Sequence, residues 1–150
     1  IEKAEEIIRN YKNAPRIVTG MFNPCYCPIT DEVKMPAKTT FKTADGYYST
    51  INHELVHSTG HVSRLNRPEV TVINFFGSHD YAIEELIAEL GSAFLCAICG
   101  CSNIRTITNQ AAYIKSWLKV LQNDRRLVIN AAARAERAVE HILGGKQDED

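Results

Sequence analysis

Apolar residues recur at helical spacing over most of the second half of the chain. Between Asp80 and Cys99 they fall three or four positions apart, which places them on one face of an α-helix. This stripe consists of Ile83, Leu86, Ile87, Leu90, Phe94 and Ala97. The same period continues through residues 109–124 and 125–143, so the sequence predicts consecutive amphipathic helices in this half.

The first half of the chain mixes helical patterns with short extended segments. Helical patterns cover Ile1–Tyr11 and residues 47–60. Residues 16–22 indicate a short strand, and residues 32–36 indicate another that Pro36 ends, which favours an edge strand. The sequence therefore predicts a helix-rich α+β fold, with a small sheet ahead of the helix at residues 47–60.

Length and composition are those of one globular domain. The chain has 150 residues, of which 45% are hydrophobic and 23% charged, so we expect residues 1–150 to form a single domain with its own core. The formal net charge of −1 gives no support to nucleic-acid binding by this chain itself. No apolar run approaches the roughly 20 residues of a membrane span, so we expect no membrane association.

The cysteines and the first residue of the chain bear on the cellular location of the protein and on whether the chain is part of a longer one. The chain has 5 cysteines and no secretory signal, which favours free thiols and a cytoplasmic location. Cysteines at the end of an apolar helix are commonly small buried hydrophobes, so a metal or redox site is the weaker alternative. The sequence gives no role to Cys25, Cys27, Cys99 and Cys101. The chain begins at Ile1, within a predicted helix and without Met, which is typical of a piece of a longer protein.

The segment HELVHSTGH, residues 53–61, carries the clearest candidate chemistry. His53 and His57 are four positions apart, so an α-helix places both imidazoles on one face, where they can bind one zinc ion. Glu54 lies about 100° around the helix from His53, close enough to contact a water molecule on the metal. This pattern is typical of metal-assisted hydrolysis with the glutamate as general base. The alternative is a chance occurrence of HExxH on an exposed helix face.

His61 is the nearest candidate for a third ligand. Three ligands in a row on one straight helix cannot surround a tetrahedral ion, so His61 could join His57 at the metal only if the helix breaks between them. A role in steadying the oxyanion of the transition state is favoured for His61, with Tyr48 as the second candidate. His79 and Tyr81 could also face the cleft.

The next predicted helix offers a better third ligand. Glu85 and Glu89 are four positions apart and share a face, and a metal with its imidazole ligands would offset the cost of burying two carboxylates. We therefore assign Glu85 as the third ligand and Glu89 as the carboxylate that orients a ligand histidine. Glu84 is the alternative ligand, although a solvated position in the first helical turn is favoured for it.

Several segments in combination resemble a known family. They are HELVHSTGHVSRLNR, FGSHDYAIEELIAELGSAFLC and AAYIKSWLKVLQNDRRLVINAAARAERAVEHIL, preceded by DEVKMP and YYSTINHE. Over nearly the whole chain they resemble the zincin-like metallopeptidase domain of ArdC-type antirestriction proteins and of polyvalent proteins of mobile elements. The resemblance implies a gluzincin-like zincin fold, with the histidine helix packed on a small twisted sheet and a glutamate helix behind it. It also favours Glu85 as third ligand, because Glu85 and Ala88 match the ExxA element of related zincins.

The resemblance further implies a zinc-dependent peptidase (cofactor Zn²⁺) associated with antirestriction. Its peptide or protein substrate would lie extended along the strand at residues 32–36. In the family this domain usually follows a single-stranded-DNA-binding domain, so we expect contact with such DNA only through an N-terminal domain outside this chain. The alternative is a non-catalytic interaction module in which the metal has a structural role.

Overall fold

The computed structural model describes residues 1–145, so residues 146–150 of the predicted domain lie outside the described residues. In the first half, one helix is followed by three consecutive strands and then by further helices, and the second half contains helices alone. The helices are α1 (Glu2–Asn10), α2 (Ala44–Ser58), α3 (Pro68–Thr71), α4 (His79–Cys99), α5 (Ile104–Val120) and α6 (Arg125–Leu143), and the strands are β1 (Arg16–Thr19), β2 (Cys25–Cys27) and β3 (Glu32–Met35). The predicted helix-rich α+β class is confirmed.

The three strands form one small sheet in the order β1–β3–β2. β1 runs parallel to β3, and β2 runs antiparallel to it. The prediction that β3 is an edge strand is therefore wrong: β3 lies in the centre. Pro36 does not prevent this, because it follows Met35, the last residue of the strand, and its missing N–H removes no hydrogen bond within the ladder. Val33 and Met35 are fully buried in the core.

Side-chain caps set where several helices begin. Thr43 accepts a hydrogen bond from the backbone N–H of Gly46 at 3.1 Å, so α2 begins three residues before the predicted start. Asn103 and Thr106 form a capping box, which starts α5 five residues early. α4 ends at Gly100, whose φ of 70° is left-handed and suits glycine. The bounds of α6 agree with its predicted range.

α4 is the central helix of the molecule. It packs against α2, α5 and α6, and its buried side chains join those of the sheet in one hydrophobic core. The contact with α2 is close at Gly91, where an added Cβ would lie 2.8 Å from Val56 Cγ2. Glycine at this position therefore lets the histidine helix and the glutamate helix approach each other.

Candidate metal centre

The structure brings His53, His57 and Glu85 together between α2 and α4. The two Nε2 atoms are 3.1 Å apart. Glu85 lies 3.4 Å from His53 Nε2 through one carboxylate oxygen and 3.3 Å from His57 Nε2 through the other. One ligand atom from each residue lies within 4.8 Å of the other two. Two imidazole nitrogens and a carboxylate oxygen form a donor set that zinc takes in hydrolases, so these residues fit a divalent metal ion.

A carboxylate oxygen lies next to the Nδ1 atom of each of the two histidines. Glu89 Oε1 lies 3.3 Å from His53 Nδ1, and Glu84 Oε1 lies 3.0 Å from His57 Nδ1. When each Nδ1 donates its proton to a carboxylate, the Nε2 lone pair is free to point at a common centre. Glu89 thus lies where the sequence analysis expected an orienting carboxylate.

Glu84 is not the solvated residue that the sequence analysis favoured. Its side chain is buried, and it accepts hydrogen bonds from Arg67 Nε at 2.9 Å and from Arg67 Nη2 at 2.6 Å. Arg67 is itself buried and also donates to Thr59 Oγ1 and to the Val56 carbonyl. Although the first two residues of α4 are exposed, Glu84 lies on the face of the helix that packs against α2, so this acid is buried together with the cation of Arg67. A signal for this burial was present in the sequence, because Glu84 lies three residues before the core residue Ile87 on the helix.

The histidines and carboxylates shift one another's protonation. Burial favours a neutral imidazole, but the hydrogen bonds that His53 donates to Glu85 and Glu89 outweigh it and raise the pKa of His53 to about 9. Hydrogen bonds with Glu84 and Glu85 likewise outweigh burial and hold the pKa of His57 well above its usual value. Burial acts to raise the pKa of Glu85, but the two imidazoles hold it well below its usual range. Protons and a metal ion therefore compete for the same nitrogen atoms.

Glu54 lines a cleft of about 830 Å³. Its side chain is largely buried and is on the next position of α2 after His53, so it borders the same space as the three candidate ligands. The cleft is also lined by Pro24, Cys25 and Tyr26 around β2 and by Val70 of α3. A water molecule or a substrate carbonyl in this cleft can reach both Glu54 and the candidate ligands.

The four candidates for oxyanion contact differ in position. His61 lines the cleft but is not one of the three clustered residues, and its Nδ1 bonds to Ser63 Oγ at 2.8 Å. Tyr48 was wrongly expected at the cleft: it is buried, and its hydroxyl donates to Glu5 Oε1 at 2.6 Å. His79 is exposed, and its Nδ1 lies 3.7 Å from Asp80 Oδ1.

Tyr81 does face the cleft. Burial raises the pKa of Tyr81 to about 12, and the charge of Glu85 acts in the same direction. At neutral pH the phenol therefore keeps its proton and can donate a hydrogen bond.

The cysteines do not enter the candidate metal centre. All five carry free thiols in residues 1–145. Cys99 Sγ and Cys101 Sγ lie 3.2 Å apart in the core, where Cys96 is also buried. Cys25 lies on the exposed side of β2 next to the cleft. Within these residues, no helix is both long enough and apolar enough to cross a membrane.

Comparison with known sequences identifies relatives in bacteria. One DNA primase TraC of Escherichia coli is 43% identical over 122 residues, which are 81% of this chain and 11% of that protein. Another DNA primase TraC of Escherichia coli is 40% identical over 147 residues, which are 98% of this chain and 10% of that protein. The protein y4eC of Sinorhizobium fredii is 37% identical over 123 residues, which are 82% of this chain and 39% of that protein. The chain thus spans about a tenth of the TraC primases.

Two solved structures of one protein are also similar to this chain. The antirestriction protein ArdC from the R388 plasmid, in a Mn(II)-bound structure, superposes with a TM-score of 0.75 at 34% identity. That match covers 100% of this chain and 54% of ArdC. The metal-free structure of ArdC gives a TM-score of 0.69 over 97% of this chain and 51% of ArdC.

The sequence model of one protein family agrees with the fold. It matches residues 2–134, which is most of the chain, and it describes a zincin-like metallopeptidase. The predicted resemblance and the predicted zincin-like fold are therefore confirmed. This chain belongs to the zincin-like metallopeptidase family whose relatives include the antirestriction protein ArdC.

Proposed function

We propose that this chain is a zinc-dependent peptidase domain. His53, His57 and Glu85 would hold the metal, and Glu54 would be the general base. The observation that carries the proposal is the convergence of three ligand atoms within 4.8 Å of one another in a cleft that Glu54 also lines. Membership of a metallopeptidase family supports the same reading.

A bound metal ion would supply a Lewis acid that polarises the scissile carbonyl and acidifies a water molecule. Glu54 accepts a proton from the attacking water through its carboxylate and then delivers that proton to the leaving amine nitrogen. The Tyr81 hydroxyl donates a hydrogen bond to the oxygen on which negative charge develops. His61, on the same cleft, is the second candidate for this contact.

The identity of the metal is part of the proposal. The donor set suits zinc, but the related ArdC structure is described as Mn(II)-bound, and similar ligand sets accept several divalent ions. We propose Zn²⁺ because two imidazoles and one carboxylate form a common ligand set of zinc hydrolases.

We further propose that the domain works within a longer cytoplasmic protein associated with mobile DNA. The chain spans only part of its named relatives, which are DNA primases and an antirestriction protein. Contact with single-stranded DNA would be made by another domain, because the net charge of this chain is −1.

A metal titration tests the site. Purified protein is stripped with a chelator and titrated calorimetrically with Zn²⁺ and with Mn²⁺. One equivalent is expected to bind, more tightly for Zn²⁺, and His53→Ala or Glu85→Gln should reduce the affinity at least about 100-fold, because each removes a ligand. Glu136→Gln, on the exposed face of α6, is the matched control and should bind like the parent.

A peptide digest tests catalysis. The zinc-loaded parent and its Glu54→Gln variant are incubated with a proteome-derived peptide library, and newly formed N-termini are identified by mass spectrometry. New N-termini are expected with the parent and the Glu136→Gln control but not with Glu54→Gln, which should still bind the metal. A loaded parent that produces no new N-termini would instead favour a non-catalytic metal-binding module.

A further inference from the structure

A second cleft, of about 660 Å³, adjoins the first across the candidate metal centre. Both clefts are bordered by Pro24, His53, Glu54, Tyr81 and Glu85. Two of the candidate ligands, His53 and Glu85, and the proposed general base Glu54 therefore border both clefts, whereas His57 borders the first alone. A chain that passes the site can continue in both directions, which is the geometry needed to cut inside a polypeptide.

The first cleft has an apolar rim. Four aliphatic side chains border it and remain strongly exposed, namely Ile29, Val62, Val72 and Ile73. Ile29 and Ile73 are each 90% exposed. Exposed aliphatic side chains that cluster around a cleft are typical of a binding surface, whereas exposed apolar residues elsewhere on a protein are usually scattered singly.

The second cleft has a cationic rim. Lys42 and Arg105 border it and are exposed, and neither makes an ion pair with any residue in the range 1–145. The acids that border this cleft, Glu54, Glu85 and Glu89, belong to the candidate metal centre, where Glu85 and Glu89 lie against His53. Lys42 and Arg105 therefore present two positive charges in this cleft that are available to an acidic ligand.

The edge of the sheet offers main-chain hydrogen bonds along the first cleft. β2 pairs with β3 on one side, and no strand within residues 1–145 pairs with its other side. Cys25 and Tyr26 of this strand border the first cleft. An extended peptide can add to such an edge through its backbone, while pockets on either side select its side chains.

We infer that the occupant of the two clefts is an extended internal segment of a polypeptide, with aliphatic side chains on the Ile29–Ile73 side of the cleaved bond and Asp or Glu on the Lys42–Arg105 side. This inference rests on the proposed function, because it names the substrate class of the same site. The asymmetry between the rims would set both the position of the cut and the direction of the bound chain.

Binding to an inactive variant tests the inference without hydrolysis. Labelled peptides contain an aliphatic run followed by a glutamate run, or the same runs in reverse order, and each has a counterpart with lysine in place of glutamate. Affinities for zinc-loaded Glu54→Gln are measured by fluorescence anisotropy. In at least one order, the glutamate peptide should bind about fivefold or more tighter than its lysine counterpart, because two ion pairs are gained.

Charge reversal identifies the residues responsible. Adding Lys42→Glu and Arg105→Glu to the inactive variant should reverse the preference toward the lysine peptides. Adding Lys115→Glu and Arg137→Glu instead, two exposed cations that border neither cleft, should leave the preference unchanged. Ile29→Ser with Ile73→Ser should weaken binding of every peptide that contains the aliphatic run and should not alter the preference between glutamate and lysine.

The outcomes separate this inference from the proposed function. Equal affinities for glutamate and lysine peptides would overturn the inference even if the parent cuts other peptides. The same is true if the preference for glutamate is lost to the same extent in the Lys42/Arg105 variant and in the Lys115/Arg137 control. The same holds if the parent removes only terminal residues. If the predicted preferences appear in the inactive variant but the loaded parent cuts none of the peptides, the inferred binding mode stands and the catalytic proposal fails.

Discussion

At the scale of single residues, the pair Arg67–Glu84 connects the core to the candidate metal centre. Glu84 holds His57 Nδ1 at 3.0 Å, and Arg67 holds Glu84 by two hydrogen bonds. Burial acts to raise the pKa of Glu84, but Arg67 and His57 lower it overall, so the carboxylate stays ionised at neutral pH. His57 is thereby fixed in position by residues that do not touch the metal position themselves.

Removing one partner of this pair should damage both stability and metal binding. Arg67→Met removes the guanidinium that makes two hydrogen bonds to the buried Glu84 carboxylate and leaves only His57 beside it, which should lower the free energy of unfolding by about 3–5 kcal/mol. The double variant Arg67→Met with Glu84→Leu removes both charges and should recover most of that loss. Its metal affinity should remain about 10–100-fold below that of the parent, because His57 has lost its orienting carboxylate.

Urea unfolding of the stripped proteins and calorimetric titration with Zn²⁺ measure the two effects separately. Lys115→Met, a change at an exposed cation, is the matched control and should alter neither quantity. If the double variant bound zinc as tightly as the parent, Glu84 would have no positioning role.

The sequence predicted the three clustered residues but not the pair that supports them. His53 and His57 lie on one helix, so their spacing alone brings them together, and Glu85 followed from the cost of burying two acids on an apolar helix. Arg67 lies 17 positions before Glu84 and outside any periodic pattern, so their contact is tertiary. The same limit explains the error at Tyr48, whose side chain turns toward Glu5 and Lys38, on the far side of α2 from the cleft.

At the scale of elements, the close approach of α2 and α4 should depend on Gly91. A Cβ at this position would lie 2.8 and 2.9 Å from the two methyl carbons of Val56, so Gly91→Ala forces the helices apart or distorts the Val56 side chain. We expect a loss of about 1–3 kcal/mol in the free energy of unfolding, measured by urea titration. Val56→Ala in the same chain should restore part of that loss, because it removes the clashing methyl groups. Additive losses in the double variant would contradict the clash.

An ion pair between α3 and α6 should make stability depend on pH. Arg134 binds Glu69 through both guanidinium Nη atoms, and burial of the carboxyl is outweighed, so that the pKa of Glu69 is lowered. A lowered folded-state pKa stabilises the fold above the unfolded-state value of about 4.3, and this stabilisation is lost as the pH falls through the folded-state pKa. At neutral pH the free energy of unfolding of the parent should be about 1 kcal/mol higher than that of Glu69→Gln. This difference should disappear in acid.

Denaturant unfolding of both proteins across this pH range measures the difference. Glu136→Gln again provides the control, since this exposed acid is in no ion pair within residues 1–145 and its difference from the parent should not change with pH. If the parent and Glu69→Gln differed in free energy of unfolding by the same amount at all pH values, the ion pair would be ruled out as the cause of the difference.

The positions of the main helices along the chain were more predictable from the sequence than the order of the strands in the sheet. Helical periodicity located α4 and α6 because each buries a continuous stripe, whereas the starts of α2 and α5 depend on caps at Thr43 and Asn103 that lie outside the periodic segments. Strand order was not predictable from local pattern: β3 pairs on both sides although it is only four residues long. Because β3 is central, the edge proposed for an extended substrate is β2 and not β3.

At the scale of the whole molecule, a metal ion would join two helices that come from different parts of the chain. His53 and His57 lie on α2 and Glu85 on α4, so the candidate centre exists only when the two helices are packed. A ligand that binds the folded state alone stabilises it by about 2.7 kcal/mol at a free concentration 100 times its dissociation constant. For a chain of this size that gain should raise Tm by roughly 5–10 °C.

Calorimetric scans with increasing Zn²⁺ measure this stabilisation. The rise in Tm should follow the logarithm of the free zinc concentration once the site is saturated, and His53→Ala should abolish it. Glu54→Gln should preserve it, because Glu54 is assigned to proton transfer and not to the metal. A rise of equal size in His53→Ala would mean that zinc binds elsewhere, with the free thiols of the buried Cys96–Cys101 region as the next site to test. Equal loss in His53→Ala and Glu54→Gln would instead move Glu54 from the role of base to that of ligand.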